Sequence, residues 1–348
     1  MRPNYLGIEI GGTKLQLGIG PGDGALLALE RVTVDPAQGA RGILEQIDQL
    51  GRPLVDRYNV RGIGVGFGGP IDRARGLIVK SHHVSGWESY DLVGWCERAF
   101  GLPITLENDC DAAGLAEARF GAGQGSKVVL FVTVGTGIGG GLVIDGEIYR
   151  ASGRGAAEIG HLRPGLLADR PDQTVESLAS GWGIAANAQA RLSDPSTRHV
   201  VPLASGLAHG SPAQIRQVLE KNEEAESEYI ADLWERCDGK PEQLTALLVA
   251  LAAGEGNEVA RQVVSHACQA LGWAIAQAIT LLSPDVVVIG GGVSLMDDSL
   301  FLVPLRGEVD RYVFPAFLGS CELRHAHLGE QVVVHGAITA AADASNRA

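Results

Sequence analysis

Short apolar runs that end in glycine recur along this chain, at 5–10, 63–67, 127–134 and 285–289. Runs of that length bounded by turn residues predict buried strands. Two further strands are expected at 14–19 and about 26–33, and another at 103–107. Between them the period changes to that of helices. Ile43, Ile47, Leu50, Leu54 and Val55 define a helix over about 40–58, and a short one follows at 91–100. Asn108 stands where an N-cap belongs, ahead of a helix running through 112–120. Residues 72–79 read as a hairpin arm, about 180–280 as mostly helical, 195–210 as an exposed loop, and about 333–342 as a last helix. Helix-like sequence is also expected after Gly290-Gly291-Gly292.

Two of the glycine turns carry more than punctuation. Gly135-x-Gly137-x-x-Gly140 matches the dinucleotide fingerprint, which works only when the turn opens a helix. Here Leu142-Val-Ile144, the turn Asp145-Gly146 and Glu147-Ile-Tyr149 follow, which is strand, turn, strand. The same device occurs at Gly11-Gly12, with Thr13 and Lys14 just after it. Such turns present backbone N–H groups to phosphate. Two of them, each starting a stretch of α/β pattern, predict a duplicated unit whose cleft suits a nucleoside triphosphate.

At 348 residues the chain is long enough for two domains. A net charge of −13 without a basic stripe argues against a nucleic-acid surface. Met1-Arg-Pro-Asn4 leads straight into the first strand, so no signal peptide is expected, and no apolar run reaches membrane-spanning length. The five cysteines are scattered, with no CxxC pair, which fits reduced thiols in a cytoplasm.

Asp109 is the leading catalytic candidate. It sits where a strand gives way to a helix, whose positive end favours an ionised carboxylate able to accept a proton from an attacking hydroxyl. The plainer alternative is that Asn108, Asp109 and Asp111 only cap the helix. Glu158-Ile-Gly-His161 could converge on one small polar ligand, since Gly160 and Ala156-Ala157 leave room for it. Glu176 has little standing by itself.

Taken together, Glu9-Ile-Gly-Gly-Thr-Lys14, Gly66-Phe-Gly-Gly-Pro-Ile-Asp72, Glu107-Asn-Asp109, Thr133-Val-Gly-Thr-Gly-Ile-Gly-Gly-Gly141, Glu158-Ile-Gly-His161, Glu176 with Ser180-Gly181, and Val288-Ile-Gly-Gly-Gly-Val293 resemble, in order, the motifs of the ROK family of sugar kinases and related repressors. The resemblance implies an α/β, actin-like ATPase (ribonuclease H-like) fold of two lobes around a central cleft. It divides the chain into a small lobe, 1–108 plus 333–348, and a large lobe, 109–332. It further implies ATP-dependent phosphorylation of a hexose or N-acetylhexosamine with Asp109 as base. Gly69, Asn108, Glu158, His161 and Glu176 would hold the sugar. Gly11, Gly12, Thr13, Lys14, Thr136 and Gly137 would surround the phosphates, and Gly291 and Gly292 would lie near the adenosine. Magnesium would bridge the phosphates. A homodimer or higher homo-oligomer is expected by the same analogy.

The chain departs from the family pattern in three places. The family's zinc-binding cysteine positions fall on Leu167, Asp169 and Thr174, so the four-ligand site of structural zinc is not expected, nor any other protein-held metal. His83 replaces a common Asn before Gly86-Trp87, and Glu9 replaces a common Asp. Alternatives to the kinase are a sugar-binding protein with little or no kinase activity and a transcription regulator. A regulator would need a helix-turn-helix ahead of the first strand, and that strand starts near residue 5. The helical stretch 212–252 exceeds what the family pattern needs, with an oligomer contact and a lid as its alternatives.

Overall fold

The computed structural model describes residues 3–81, 84–151, 155–165, 172–193 and 226–347. Its first half runs β1 (Asn4–Ile10), β2 (Lys14–Gly20), β3 (Ala28–Thr33), α1 (Gly39–Tyr58) and β4 (Val60–Phe67). The small strands β5 (Ile71–Asp72), β6 (Leu77–Ile78) and β7 (Tyr90–Asp91) come next, then α2 (Leu92–Phe100), β8 (Ile104–Asn108) and α3 (Asp109–Phe120). The sheet order is β3-β2-β1-β4-β8, with β1, β2 and β3 antiparallel and β4 and β8 parallel to β1. β1 and β4 are buried along nearly their whole length. That is why they read as continuous apolar runs rather than as alternation.

The second half repeats the plan. β9 (Val128–Val134) and β10 (Ile138–Ile144) form the second glycine hairpin, β11 (Glu147–Ile148) lies at the edge, and β12 (Val286–Gly290) and β13 (Glu322–His325) extend the sheet in parallel. Its order, β11-β10-β9-β12-β13, is that of the first sheet, as the paired hairpins led us to expect. Between β11 and β12 lie α4 (Val175–Ala179), α5 (Gly181–Ser193), a helix α6 over 226–236, α7 (Ala246–Gly254) and α8 (Glu258–Leu282). α9 (Leu302–Tyr312) and α10 (Val332–Arg347) complete the described helices.

Each sheet has its own core. Leu6, Ile8, Ile47, Val65 and Trp87 belong to the first, and Leu130, Val132, Leu233, Val249 and Leu271 to the second. The described part of 212–252 is thus a wall of the second core: Leu233 and Val249 are fully buried, and Asn257 Nδ2 donates to the Tyr229 carbonyl (2.8 Å) and to Asp232 (2.8 Å). α3 and α10 lie between the two halves, α10 against β1, β4 and α3. Side chains on Gly64 and Gly336 would overlap the Ala337 and Ala112 carbonyls, so these two glycines let α10 lie directly on β4 and α3.

The structure departs from the expected pattern at one segment and adds a strand to it. After the Gly290–Gly292 run there is only a 3-10 turn (Gly292–Leu295), and α9 begins at Leu302. Asp297 restarts helical structure there: its Oδ1 accepts from the Ser299 N–H (2.8 Å) and its carbonyl from the Phe301 N–H (3.1 Å), as an N-cap does. β13 was absent from the pattern because Glu-Leu-Arg-His has no apolar period, and its pairing with β12 alone makes it a strand. Residues 195–210 lie outside the described residues. No helix among the described residues is long and apolar enough to cross a membrane, and all five cysteines are free.

Candidate active site

Parallel strands of an open α/β sheet place ligands at their carboxyl ends. Here β1 ends at Ile10, β4 at Phe67 and β8 at Asn108, side by side. The Gly68 N–H donates to the Ile10 carbonyl (3.0 Å), and Asn108 Nδ2 donates to the Gly69 carbonyl (3.2 Å). The position a Gly68 Cβ would take is 3.3 Å from Asp109 Oδ2 and 3.8 Å from Gly11 Cα, so the first glycine hairpin, the Gly68-Gly69 turn and Asp109 meet at one point.

Asn108 is the N-cap of α3, its Oδ1 accepting from the Cys110 N–H (2.8 Å). Asp109 Oδ1 accepts from the same N–H (2.8 Å). Asp109 is therefore not the cap but the first helical residue. Burial pushes its carboxyl up to about 6; the bonds from Cys110 oppose this, and the Glu9 charge adds to it. Glu9 is itself pushed up by burial, against the pull of Lys14, whose Nζ lies 3.1 Å from Glu9 Oε1. Lys14 also donates to the Glu330 carbonyl (3.3 Å), and the fully buried Gln16 bonds both Glu9 (2.6 Å) and that carbonyl (2.7 Å).

Asp109, Glu9 and Lys14 line one end of a cavity of about 620 Å³, within the range of small-molecule sites. Gly291 and Gly292 line it further along, with an apolar wall that includes Phe131, Ile289 and Val333. Asp298 and His325, paired at 2.7 Å, also line it. The sequence reading missed these residues. The Gly-ended run at 285–289 was the available signal for the wall, and nothing local marked His325.

The other predicted residues sit around this cavity rather than in its lining. Thr13 and Thr136 are the exposed tips of the two hairpins, flanked by Gly11, Gly12 and Gly137. Glu176 accepts from the Ile138 N–H (2.9 Å), and the Gly181 N–H donates to the Gly135 carbonyl (2.7 Å), so α4 and α5 brace the second hairpin. Glu158 and His161 are exposed and face each other at 3.6 Å. Glu158 and Asn108 line a second, smaller cavity of about 130 Å³; His161 does not. His83 lies outside the described residues.

Leu167 and Asp169 also lie outside the described residues, and among those described no group of three metal-ligating side chains converges. The ends of the 162–175 loop are joined by protein bonds. The Val175 N–H donates to the Leu162 carbonyl (2.8 Å), and Thr174 and Ser177 form a capping box on α4. Elemental analysis of protein purified without chelator is expected to find no stoichiometric zinc. One zinc per chain would place ligands in this loop that its sequence does not suggest.

The chain matches the model of the ROK family over residues 5–344. It is 30% identical to a glucokinase of Halalkalibacterium halodurans over 95% of this chain and 93% of that one. A ROK family glucokinase from Streptomyces griseus, solved with glucose and AMPPNP, superposes with a TM-score of 0.75 at 27% identity, covering 98% of this chain and 99% of that one. A xylose repressor of Caldicellulosiruptor bescii is 24% identical over 80% of this chain and 62% of its own length. The fold is the two-lobed, actin-like ATPase fold. From its first strand to its last helix, this chain belongs to the ROK family.

Proposed function

We propose that the protein is an ATP-dependent sugar kinase that phosphorylates a hexose or N-acetylhexosamine, with Asp109 as its general base. The observation that carries this reading is the position of Asp109. It lines the large cavity, while its neighbour Asn108 lines the small one with Glu158. In this reading the large cavity takes the nucleotide. Its volume, the Gly290–Gly292 run and the Lys14 ammonium in its lining fit a triphosphate. The carboxylates lining the cavity are Glu9, Asp109, Asp298 and Glu330, too few and too dispersed for a protein cage, which would suit a magnesium ion that keeps most of its waters. When bound, Mg-ATP supplies the phosphoryl group and screens its charge.

The chain's own residues do the rest. Asn108, Glu158, His161, Glu176 and the Gly69 carbonyl orient the sugar. Asp109 takes the proton of the attacking hydroxyl. With a pKa of about 6 it is mostly ionised at pH 7 yet basic enough to accept that proton. The hairpin N–H groups of Gly12, Thr13, Thr136 and Gly137 hold the phosphates, while that of Gly11 closes the first hairpin on the Lys14 carbonyl (3.0 Å). The division into 1–108 plus 333–348 and 109–332 makes α3 and α10 the junction about which the lobes close to exclude water. Glu158 and His161, exposed in this structure, come onto the sugar in that closure. A cytoplasmic homo-oligomer completes the proposal.

The test is ADP release with Mg-ATP against glucose, fructose, mannose, allose, N-acetylglucosamine and N-acetylmannosamine. Sugar-dependent release is expected. The similarity to a xylose repressor keeps a second reading, a sugar-responsive regulator, in play. Silence across the panel with sugar binding detectable by thermal shift would favour that reading and overturn the kinase.

A further inference from the structure

Within the run Glu107-Asn108-Asp109, the kinase reading gives Glu107 no task. Yet this carboxylate is 1% exposed, at the penultimate position of β8. An anion so placed is costly unless it is paired and hydrogen-bonded. Two arginines pair it. Arg73 Nε lies 3.1 Å from Oε1, and Arg150 Nη2 lies 2.6 Å from the same oxygen, with Arg150 Nε 3.4 Å from Oε2.

The origins of these arginines give the cluster its meaning. Arg73 lies in the β5–β6 hairpin, immediately after the Gly69-Pro70 turn. Arg150 follows β11 in the second sheet and opens the segment that leads to Glu158 and His161; it is oriented by its own bond from Nη1 to the Ile148 carbonyl (3.3 Å). One buried carboxylate therefore ties together the three segments that present Gly69, Asn108 and Glu158. Arg73, Glu107 and Arg150 also line the 130 Å³ cavity that Asn108 and Glu158 share. Asp111 lines it too, with an Oδ1 that has no hydrogen-bond partner among the described residues, and among those residues Arg73 and Arg150 are the cations beside its three carboxyl groups.

We infer that Glu107, Arg73 and Arg150 form a positioning clamp across the two sheets, which sets the spacing of the Gly69, Asn108 and Glu158 walls and so the affinity for sugar. The inference rests on reading those walls as the sugar pocket. The three residues act through their neighbours and do not touch the reacting atoms. A misplacement of about 1 Å in such walls costs on the order of 10²-fold.

The test is steady-state kinetics with varied sugar and varied ATP, together with calorimetric sugar binding, on Arg150→Ala, Arg150→Lys, Arg73→Ala and Glu107→Gln. The probe is the panel hexose that the parent enzyme binds most tightly. Arg150→Ala is expected to raise the sugar KM and Kd by roughly 10–100-fold while the ATP KM stays within about threefold. Arg150→Lys, which keeps the charge and one donor, should recover part of the loss. A merely structural ion pair would lower melting temperature and active fraction without separating the two KM values. If Arg150→Ala fails to fold, Arg150→Lys and Glu107→Gln carry the same comparison. Variants that bind sugar as the parent does, beside an active parent, overturn the clamp alone. A parent that binds sugar without turnover, and variants that bind it more weakly, overturn the kinase and support the clamp. A parent that binds no hexose overturns both.

Discussion

Asp109→Asn is expected to lower kcat by roughly 10²–10⁴-fold while leaving sugar affinity within about tenfold. Asparagine has the shape of aspartate, and its amide oxygen can still accept from the Cys110 N–H as Asp109 Oδ1 does (2.8 Å). Neither the helix start nor the cavity wall should move. What is lost is the carboxylate assigned to take the proton. The same assignment fixes the pH profile of the parent enzyme. The carboxyl titrates at about 6, raised from an ordinary 3.8, and the base must be ionised. Activity should therefore fall about tenfold per pH unit below 6 and level off above 7. The residual activity of the asparagine variant should lack that acidic limb. An Asp109→Asn enzyme with near-normal turnover, or a parent whose activity holds flat down to pH 5, would reduce Asp109 to a helix-start residue.

Asp111→Asn is expected to stabilise the protein above neutrality. Asp111 is 6% exposed and its Oδ1 has no hydrogen-bond partner among the described residues. Burial pushes its carboxyl up to about 7, the Glu107 charge adds to the rise, and Arg150 opposes it. The sign follows from linkage. A folded-state pKa above the unfolded 3.8 means that folding favours the protonated form. The associated stability is fully present below the unfolded pKa and is lost as the pH rises to 7. Relative to a neutral asparagine, aspartate then costs on the order of 2–4 kcal/mol above pH 7 and little near pH 4. Thermal melts at pH 5 and pH 8 test this. The variant should melt several degrees above the parent at pH 8, with a smaller gain at pH 5. Equal or lower melting at pH 8 would mean that Arg150 holds Asp111 ionised in the folded protein.

The two glycine hairpins, the helix that Asn108 caps and the strand before it were legible because each rests on local chemistry. Turn residues, an N-cap and a period of two or 3.6 all act within a few neighbours. The collinear motifs carried the family with them. Asp109, Lys14, Gly291 and Gly292, named separately from the sequence, line one cavity. The same reading put Glu158 and His161 against a ligand, and the structure leaves both exposed and paired with each other. Glu176, read only as a sugar ligand, also braces the second hairpin through Ile138.

By itself, then, the sequence determined most of the buried strands, where the chain turns on glycine, and that the same unit occurs twice. The tertiary structure alone decided what those units do to one another. Arg73 and Glu107 from the first half and Arg150 from beyond β11 in the second are distant in the chain and meet only in the tertiary fold. β13 is a strand only because β12 is beside it, and α10 lies on β4 and α3 only because Gly64 and Gly336 give it room. The titration of Asp109 belongs to the same class, since burial by residues far away in sequence moves it. Local propensity is written in neighbouring residues, whereas burial, charge pairing and cavity walls depend on which distant surfaces the fold brings into contact.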